Sequence, residues 1–186
     1  ITVIDTTAPT IVCGAPFAIE CDQPVVFDMP QLSDNCNPDD IALQMDSTVY
    51  DTALCNGTGT VTRYWTATDC AGNTSSCFQR ITIEDRTPPS LENCDVASLS
   101  ATVDCDFENL QANCDAWNAA NIARLDTCAM DNCGDNVNVT SDYTGVLSDS
   151  CGVTGQLTVT YTITDDCGNP TTVTAVYKVV DTTPPD

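Results

Sequence analysis

The residues best suited to chemistry are aspartates at strand ends and turns. Asp5, Asp34 and Asp69 form one set, and Asp85, Asp131 and Asp165 stand at matching positions further along. Where strands fold into two facing sheets, the incoming linker, the loop between the second and third strands and the final hairpin turn can gather at one end. Each set then brings three carboxylates together with no base among them. Such a cluster repels itself unless a cation lies within it, and hard oxygen ligands suit calcium. The competing reading is structural, because Asp and Asn side chains bond their own backbone and build turns. Turn chemistry alone does not account for 27 acidic residues against five basic ones, a net charge of −22. That field repels nucleic acid and anionic membrane surfaces.

Catalytic constellations are missing from the sequence. There is no histidine, and Lys178 lies in a strand pattern with no nucleophile motif nearby, so hydrolase triads and thiol chemistry lack their parts. Paired carboxylates can cleave glycosides, but so many acids make any one pair uninformative, and no enzyme is expected. A carbohydrate-binding module is the alternative function, with Trp117, Tyr143 and Tyr50 as stacking platforms; for each of them a buried packing role competes.

These residues sit on a repeat. The strings Ile1 to Pro9, Ile81 to Pro89 and Tyr177 to Pro185 are copies of one pattern, a strand that ends in a proline-stiffened linker. Upstream of the last two the match continues at an offset of 96: Trp65 with Tyr161, Asp69 with Asp165, Gly72 with Gly168, Asn73 with Asn169. Asp34-Asn35-Cys36 corresponds to Asp131-Asn132-Cys133 once an insertion is set aside. The expected organisation is a last-strand remnant of a preceding repeat at 1–5, one repeat at 6–85 and a second at 86–186, with a helical insert at about 106–128. The natural protein is expected to continue beyond both ends, with its export signal outside this window.

Alternation of Leu157, Val159, Tyr161 and Ile163 with threonines predicts a half-buried antiparallel strand, and Val61 to Ala67 is its mate in the first repeat. Each leads through a Gly-Asn turn into a further strand, Ser76 to Glu84 or Thr171 to Val180, closing a hairpin. Short strands in units of roughly eighty to a hundred residues predict a mainly β fold of tandem immunoglobulin-like β-sandwiches. Phe107, Leu110, Cys114 and Trp117 recur at helical spacing after a candidate cap at Asp106. No apolar run reaches membrane-spanning length.

Thirteen cysteines without paired zinc-knuckle spacing predict disulfides and an oxidising compartment. Repeat equivalence pairs Cys36 with Cys55 and Cys133 with Cys151, and offers Cys21 with Cys70 and Cys105 with Cys167 as further equivalents. Cys13 and Cys77 belong to the first and last strands of the first repeat, and Val173 replaces the latter in the second. One straight helix from Cys114 to Cys128 would hold them about 21 Å apart, far beyond disulfide reach. Cys94 with Cys114 is therefore favoured, leaving Cys128 unassigned.

The Asp-x-Thr-x-Pro linkers, the Thr-Asp-x-x-Gly-Asn hairpins and the Asp-Asn-Cys loops together resemble hyalin-type (HYR-like) repeats, in particular the cysteine-rich versions in large cell-surface adhesins of Bacteroidota, including SprB-type gliding adhesins. The resemblance covers nearly the whole chain except the helical insert. It implies an immunoglobulin-like fold, export to the cell surface, and a role in adhesion or in spacing a binding tip from the cell, as in gliding motility. Partners would be neighbouring repeats of the same chain and surface glycans or a substratum. First- and last-strand cysteines pair in the simple repeat, which implies Cys13 with Cys77. Asp-Thr-Thr at Asp5 and Asp181, and Asp51-Thr52-Ala53, are similar to short O-glycosylation signals of that phylum, which makes Thr6, Thr52 and Thr182 candidates. The combined expectation is a rigid, disulfide-stapled, calcium-binding stalk segment.

Overall fold

The structure is a computed structural model that describes residues 3–36, 39–52, 55, 57–105, 109–134, 136–151 and 154–183, with the side chains of residues 52 and 149–151 outside the description. The chain is mainly β and divides into two compact units, Ile1–Asp85 and Arg86–Asp186.

The first unit contains β1 (Thr10–Val12), β2 (Phe17–Glu20), β3 (Gln31–Ser33), β4 (Ala42–Thr52), β5 (Gly59–Thr68) and β6 (Thr74–Glu84). A four-stranded sheet runs β2-β6-β5-β4, and β1 pairs with β3 in a small second sheet against β5 and β6. The period-two alternation of β5 puts Val61, Trp65 and Ala67 on the buried face, where Ile81 of β6 joins them. Phe27 meets Trp65 edge-on at 5.9 Å between ring centroids, and the Arg63 guanidinium lies 4.2 Å over the Phe27 ring. Gln79 is fully buried yet satisfied: it accepts from the Asp28 amide at 2.9 Å and donates to the Ala15 carbonyl and the Asp28 carboxylate. That network presses on Gly14, where a Cβ would collide with the Asp28 and Gln79 side chains.

The second unit contains a short 3-10 turn (Val96–Leu99), β7 (Ala101–Asp104), α1 (Leu110–Cys128), β8 (Val137–Ser141), β9 (Ser148–Cys151), β10 (Thr154–Asp165) and β11 (Pro170–Val180). Its sheet runs β7-β11-β10-β8, with β9 also on β10. The helix provides the covering layer. Leu110, Cys114, Trp117, Asn121, Leu125 and Cys128 recur every three or four residues along it, and the buried ones, Cys114, Asn121 and Leu125, share a core with Val159, Tyr161, Ile163, Ala175, Tyr177 and Val179. Alanine-rich composition favours the helix, and Asn109 occupies the cap position; Asp106, the expected cap, and Phe107 lie outside the described residues. At its far end Ala129 turns extended and Met130 bridges to Ser90.

In both units an early strand pairs in parallel with the last one, β2 with β6 and β7 with β11. This register decides the cysteine geometry. Cys13 is joined to Cys77, and Cys94 to Cys128; Cys21, Cys55, Cys133 and Cys167 are also disulfide-bonded, whereas Cys36, Cys70, Cys105 and Cys114 are thiols.

Several expected pairings are thereby corrected. Cys94 takes Cys128 rather than Cys114, because the Ser90–Met130 bridge draws the segment before Cys94 to the end of the helix while Cys114 is buried in the core. Cys21 does not pair with Cys70: Glu20 lies beside Glu84 at the end of β6, and Cys70 is in the turn before β6 starts, about 30 Å away along the strand. Cys105 is excluded from Cys167 for the same reason, since the Cys105 amide bonds the Val180 carbonyl at the opposite end of β11. Cys36 and Cys55 flank opposite ends of β4, one before Ala42 and the other after Thr52. The Cys133–Cys151 expectation falls on a side chain outside the described residues.

Candidate functional site

Each unit has one end where the hairpin turn, the Asp-Asn-Cys loop and acidic side chains meet. In the first unit the turn joins β5 to β6. The Asp69 Oδ1 accepts the Ala71 and Asn73 amides at 2.9 and 2.8 Å, and Oδ2 accepts the Asn73 side-chain amide at 2.8 Å. Gly72 adopts φ 89°, a conformation that favours glycine. The Asn73 side chain also donates to the backbone carbonyls of Asp5 and Thr7, both at 3.4 Å, which ties the lead-in segment to the turn.

Asp34 Oδ2 accepts the Cys36 amide at 2.8 Å, and Asp5 Oδ1 accepts the Thr7 amide at 3.0 Å. Carboxylate oxygens of Asp5 and Asp34 and the Cys36 sulfur lie within 4.8 Å of one another. Asp5 Oδ2 is shielded from water and accepts no hydrogen bond. The structure thus unites Asp5 with Asp34 as the sequence suggests, but the third member of that cluster is Cys36. Asp69 is held by the amides of its own turn and is not part of that cluster. Nothing in the residue types alone marked Cys36, since the sequence reads it as oxidised.

The second unit repeats the turn almost atom for atom. Asp165 Oδ1 accepts the Cys167 and Asn169 amides at 2.9 and 2.8 Å, its Oδ2 accepts the Asn169 side-chain amide at 2.8 Å, and Gly168 has φ 94°. Asp131 Oδ2 accepts the Cys133 amide at 2.8 Å, its Oδ1 is buried with no hydrogen bond, and Asp131 and Asp165 bring carboxylate oxygens within 4.8 Å. Asp85 is the last residue of the first unit.

Charge at these ends is tuned by hydrogen bonds. The Asn73 side chain, with the backbone amides of the turn, holds the Asp69 carboxyl below the usual range. The Cys36 thiol is pushed up, first by hydrogen bonding toward the Asp5 carboxylate and then by burial and the charges of Asp5 and Asp34. Because the folded value of Asp69 is depressed, its contribution to stability is complete above the ordinary carboxylate value of about 4 and is lost as pH falls through the folded value. Denaturant midpoints followed from neutral pH to pH 2 are expected to fall below about pH 4, and Asp69→Asn, which cannot titrate, to lose part of that acid limb. Identical pH profiles for the two proteins would remove Asp69 from the linkage.

The aromatic candidates divide. Trp117 packs tilted on Tyr177, with centroids 5.2 Å apart, and its indole N–H donates to the Leu99 carbonyl at 2.8 Å. The ring thus packs, half-buried, against the core beneath the helix. The Tyr143 hydroxyl donates to Asp115 at 2.5 Å, which ties it to the helix surface, and burial with that carboxylate raises its hydroxyl well above the ordinary value. Tyr50 is exposed on β4. Of the glycosylation candidates, Thr6 is exposed and the Thr52 side chain lies outside the described residues. Thr182 donates its amide and hydroxyl to Asp104 at 3.1 and 3.0 Å, a clamp no sequence pattern announced.

No family model matches the chain, and no curated protein matches it. Among solved structures, it is similar to CBM51-2 in complex with GlcNAc and INT domains from Clostridium perfringens ZmpB, at 25% identity over 45% of this chain and 18% of that one, with a TM-score of 0.31. Drosophila N-cadherin EC1-4 matches at 11% identity over 94% of this chain and 50% of that one, with a TM-score of 0.38. Protocadherin Gamma B2 extracellular cadherin domains 3-6 match at 11% over 94% and 52%, with a TM-score of 0.41. The chain spans about half the length of these cadherin structures and less of the first.

Proposed function

We propose that this chain is a structural or adhesive segment of a repetitive extracellular surface protein, a non-catalytic spacer stiffened by disulfides and by calcium at its acidic loop ends. The observation that carries this reading is the set of disulfide-bonded cysteines in two consecutive β units, Cys13–Cys77 in one and Cys94–Cys128 in the other. Such bridges persist in oxidising compartments and stabilise small domains with modest cores. No helix among the described residues is long and apolar enough to cross a membrane. The resemblance of the linkers and Asp-Asn-Cys loops to hyalin-type repeats of Bacteroidota adhesins supports the same role, and it makes gliding motility the process such a segment would serve.

Calcium is supported by the donor chemistry. Asp5 Oδ2 and Asp131 Oδ1 are buried carboxylate oxygens that accept no hydrogen bond, the kind of group a hard cation satisfies. The Asp131–Asp165 pair offers oxygens only, while the Asp5–Asp34 pair has a thiol beside it. Binding to the folded state at a hundredfold excess over Kd adds about 2.7 kcal/mol. Thermal melts in EDTA and in calcium are expected to differ accordingly, with the difference reduced by Asp131→Asn. Equal melts would end the calcium reading, and specific capture of one glycan on an array would replace the spacer by a carbohydrate-binding module.

A further inference from the structure

The loop end of the first unit holds a chemistry that neither a spacer nor a calcium site uses. Cys36 and Cys70 are both exposed thiols in a chain whose other described cysteines are mostly oxidised. Cys36 follows the Asp34 turn, and its sulfur lies with the Asp5 and Asp34 carboxylates. Cys70 follows Asp69 in the turn whose Asn73 side chain bonds the Asp5 and Thr7 carbonyls. The two loops that carry these cysteines therefore converge on the Asp5 segment.

The second unit provides the comparison. Cys133 follows Asp131 with the same 2.8 Å amide contact that Cys36 makes to Asp34, Cys167 lies in the matching turn, and both are disulfide-bonded. The two turns differ by one position. Cys167 supplies the amide that bonds Asp165 Oδ1, whereas in the first unit Ala71 does so and the cysteine precedes it. That shift leaves Cys70 outside the tight part of the turn.

We infer that Cys36 and Cys70 are an exchangeable dithiol, a modification site that closes to a further disulfide at the loop end of the first unit by reaction with a low-molecular-weight disulfide. Cys70, exposed in the hairpin turn, is the entry point, and Cys36, seated beside Asp5 and Asp34, closes the bridge. The Cys70 thiolate attacks one sulfur of the reagent and expels one thiolate; the Cys36 thiolate then attacks the Cys70 sulfur and expels the second. The two protons lost by the cysteines go to the two leaving thiolates. The cysteine sulfurs lose two electrons, and the reagent gains them as it becomes two thiols.

The test is peptide mapping of the whole chain after equilibration with oxidised glutathione, with remaining thiols alkylated. Cleavage before aspartates separates the fragment that begins at Asp34 from the one that begins at Asp69. The two are expected to be recovered joined, and the Asp34 fragment to be released in Cys70→Ser. Wild-type Cys36 and Cys70 recovered separately, alkylated or each carrying glutathione, would overturn the inference, as would Cys36 joined to a fragment that stays attached in Cys70→Ser. Because the Asp69 fragment also carries Cys77, bridged to Cys13, tandem mass spectra of the joined wild-type species that place the Cys36 link at Cys70 decide the matter even if a variant fails to fold.

Discussion

Replacing Cys13 and Cys77 together with serine lowers the unfolding free energy of the first unit by about 4 kcal/mol, the chain-entropy value for a bridge across a separation of 64 residues. The consequence is large because the apolar core there is thin: Val61, Trp65, Ala67 and Ile81 are its buried hydrophobic side chains among the described residues. A domain stability of 5–15 kcal/mol is typical, so a loss of about 4 leaves the unit marginal at best. Trp65 is the first unit's tryptophan and Trp117 the second's, so urea denaturation followed by fluorescence in a Trp117→Phe background reads the first unit alone. A change below about 1 kcal/mol would show that the folded state offsets the loop entropy.

In the second unit the largest effect falls on Tyr161. Its ring is fully buried, meets Trp117 edge-on at 6.4 Å, and its hydroxyl accepts from the Asn121 side chain at 3.2 Å. Tyr161→Ala is expected to cost about 3–5 kcal/mol, as other aromatic truncations in cores do. Tyr161→Phe keeps the packing and loses only the hydroxyl, about 1 kcal/mol, since Asn121 retains its 2.9 Å bond to the Leu99 carbonyl. Chemical denaturation of the two variants measures the split. Similar losses for both would mean that the hydrogen bond, not the ring, holds helix to sheet.

The hairpins were legible because alternation is a local signal. Leu157 to Ile163 and Val61 to Ala67 announce which face is buried, and the Asp-x-x-Gly-Asn turns announce where the chain reverses. The helix was legible too, with Leu110, Cys114 and Trp117 of its packed stripe, whereas Asn121 and Leu125 further along were not. Cysteine partners were not, because they depend on which strand ends are neighbours. The repeat identifies Cys21 with Cys105 and Cys36 with Cys133, but only the parallel pairing of Glu20 beside Glu84 reveals which end of the unit each one occupies. The acidic site was half legible: Asp5 and Asp34 were expected to meet and do, whereas Cys36 takes the place expected of Asp69, a difference of loop geometry that spacing does not reveal.

The parallel pairing of an early strand with the last one also has a mechanical meaning. With the Cys13–Cys77 bridge reduced, tension applied to the two ends of the first unit pulls β2 and β6 in opposite directions along their length, so their hydrogen bonds are loaded in shear, all at once, rather than unzipped one by one. Beneath that clamp lies a covalent shortcut. Force entering at Cys13 crosses directly to Cys77, and the chain between them cannot lengthen even when its sheet is lost. The same shortcut joins Cys94 to Cys128 and shields the helix from being drawn out. The first unit is thus built to yield little length under load, and the second to keep its helix.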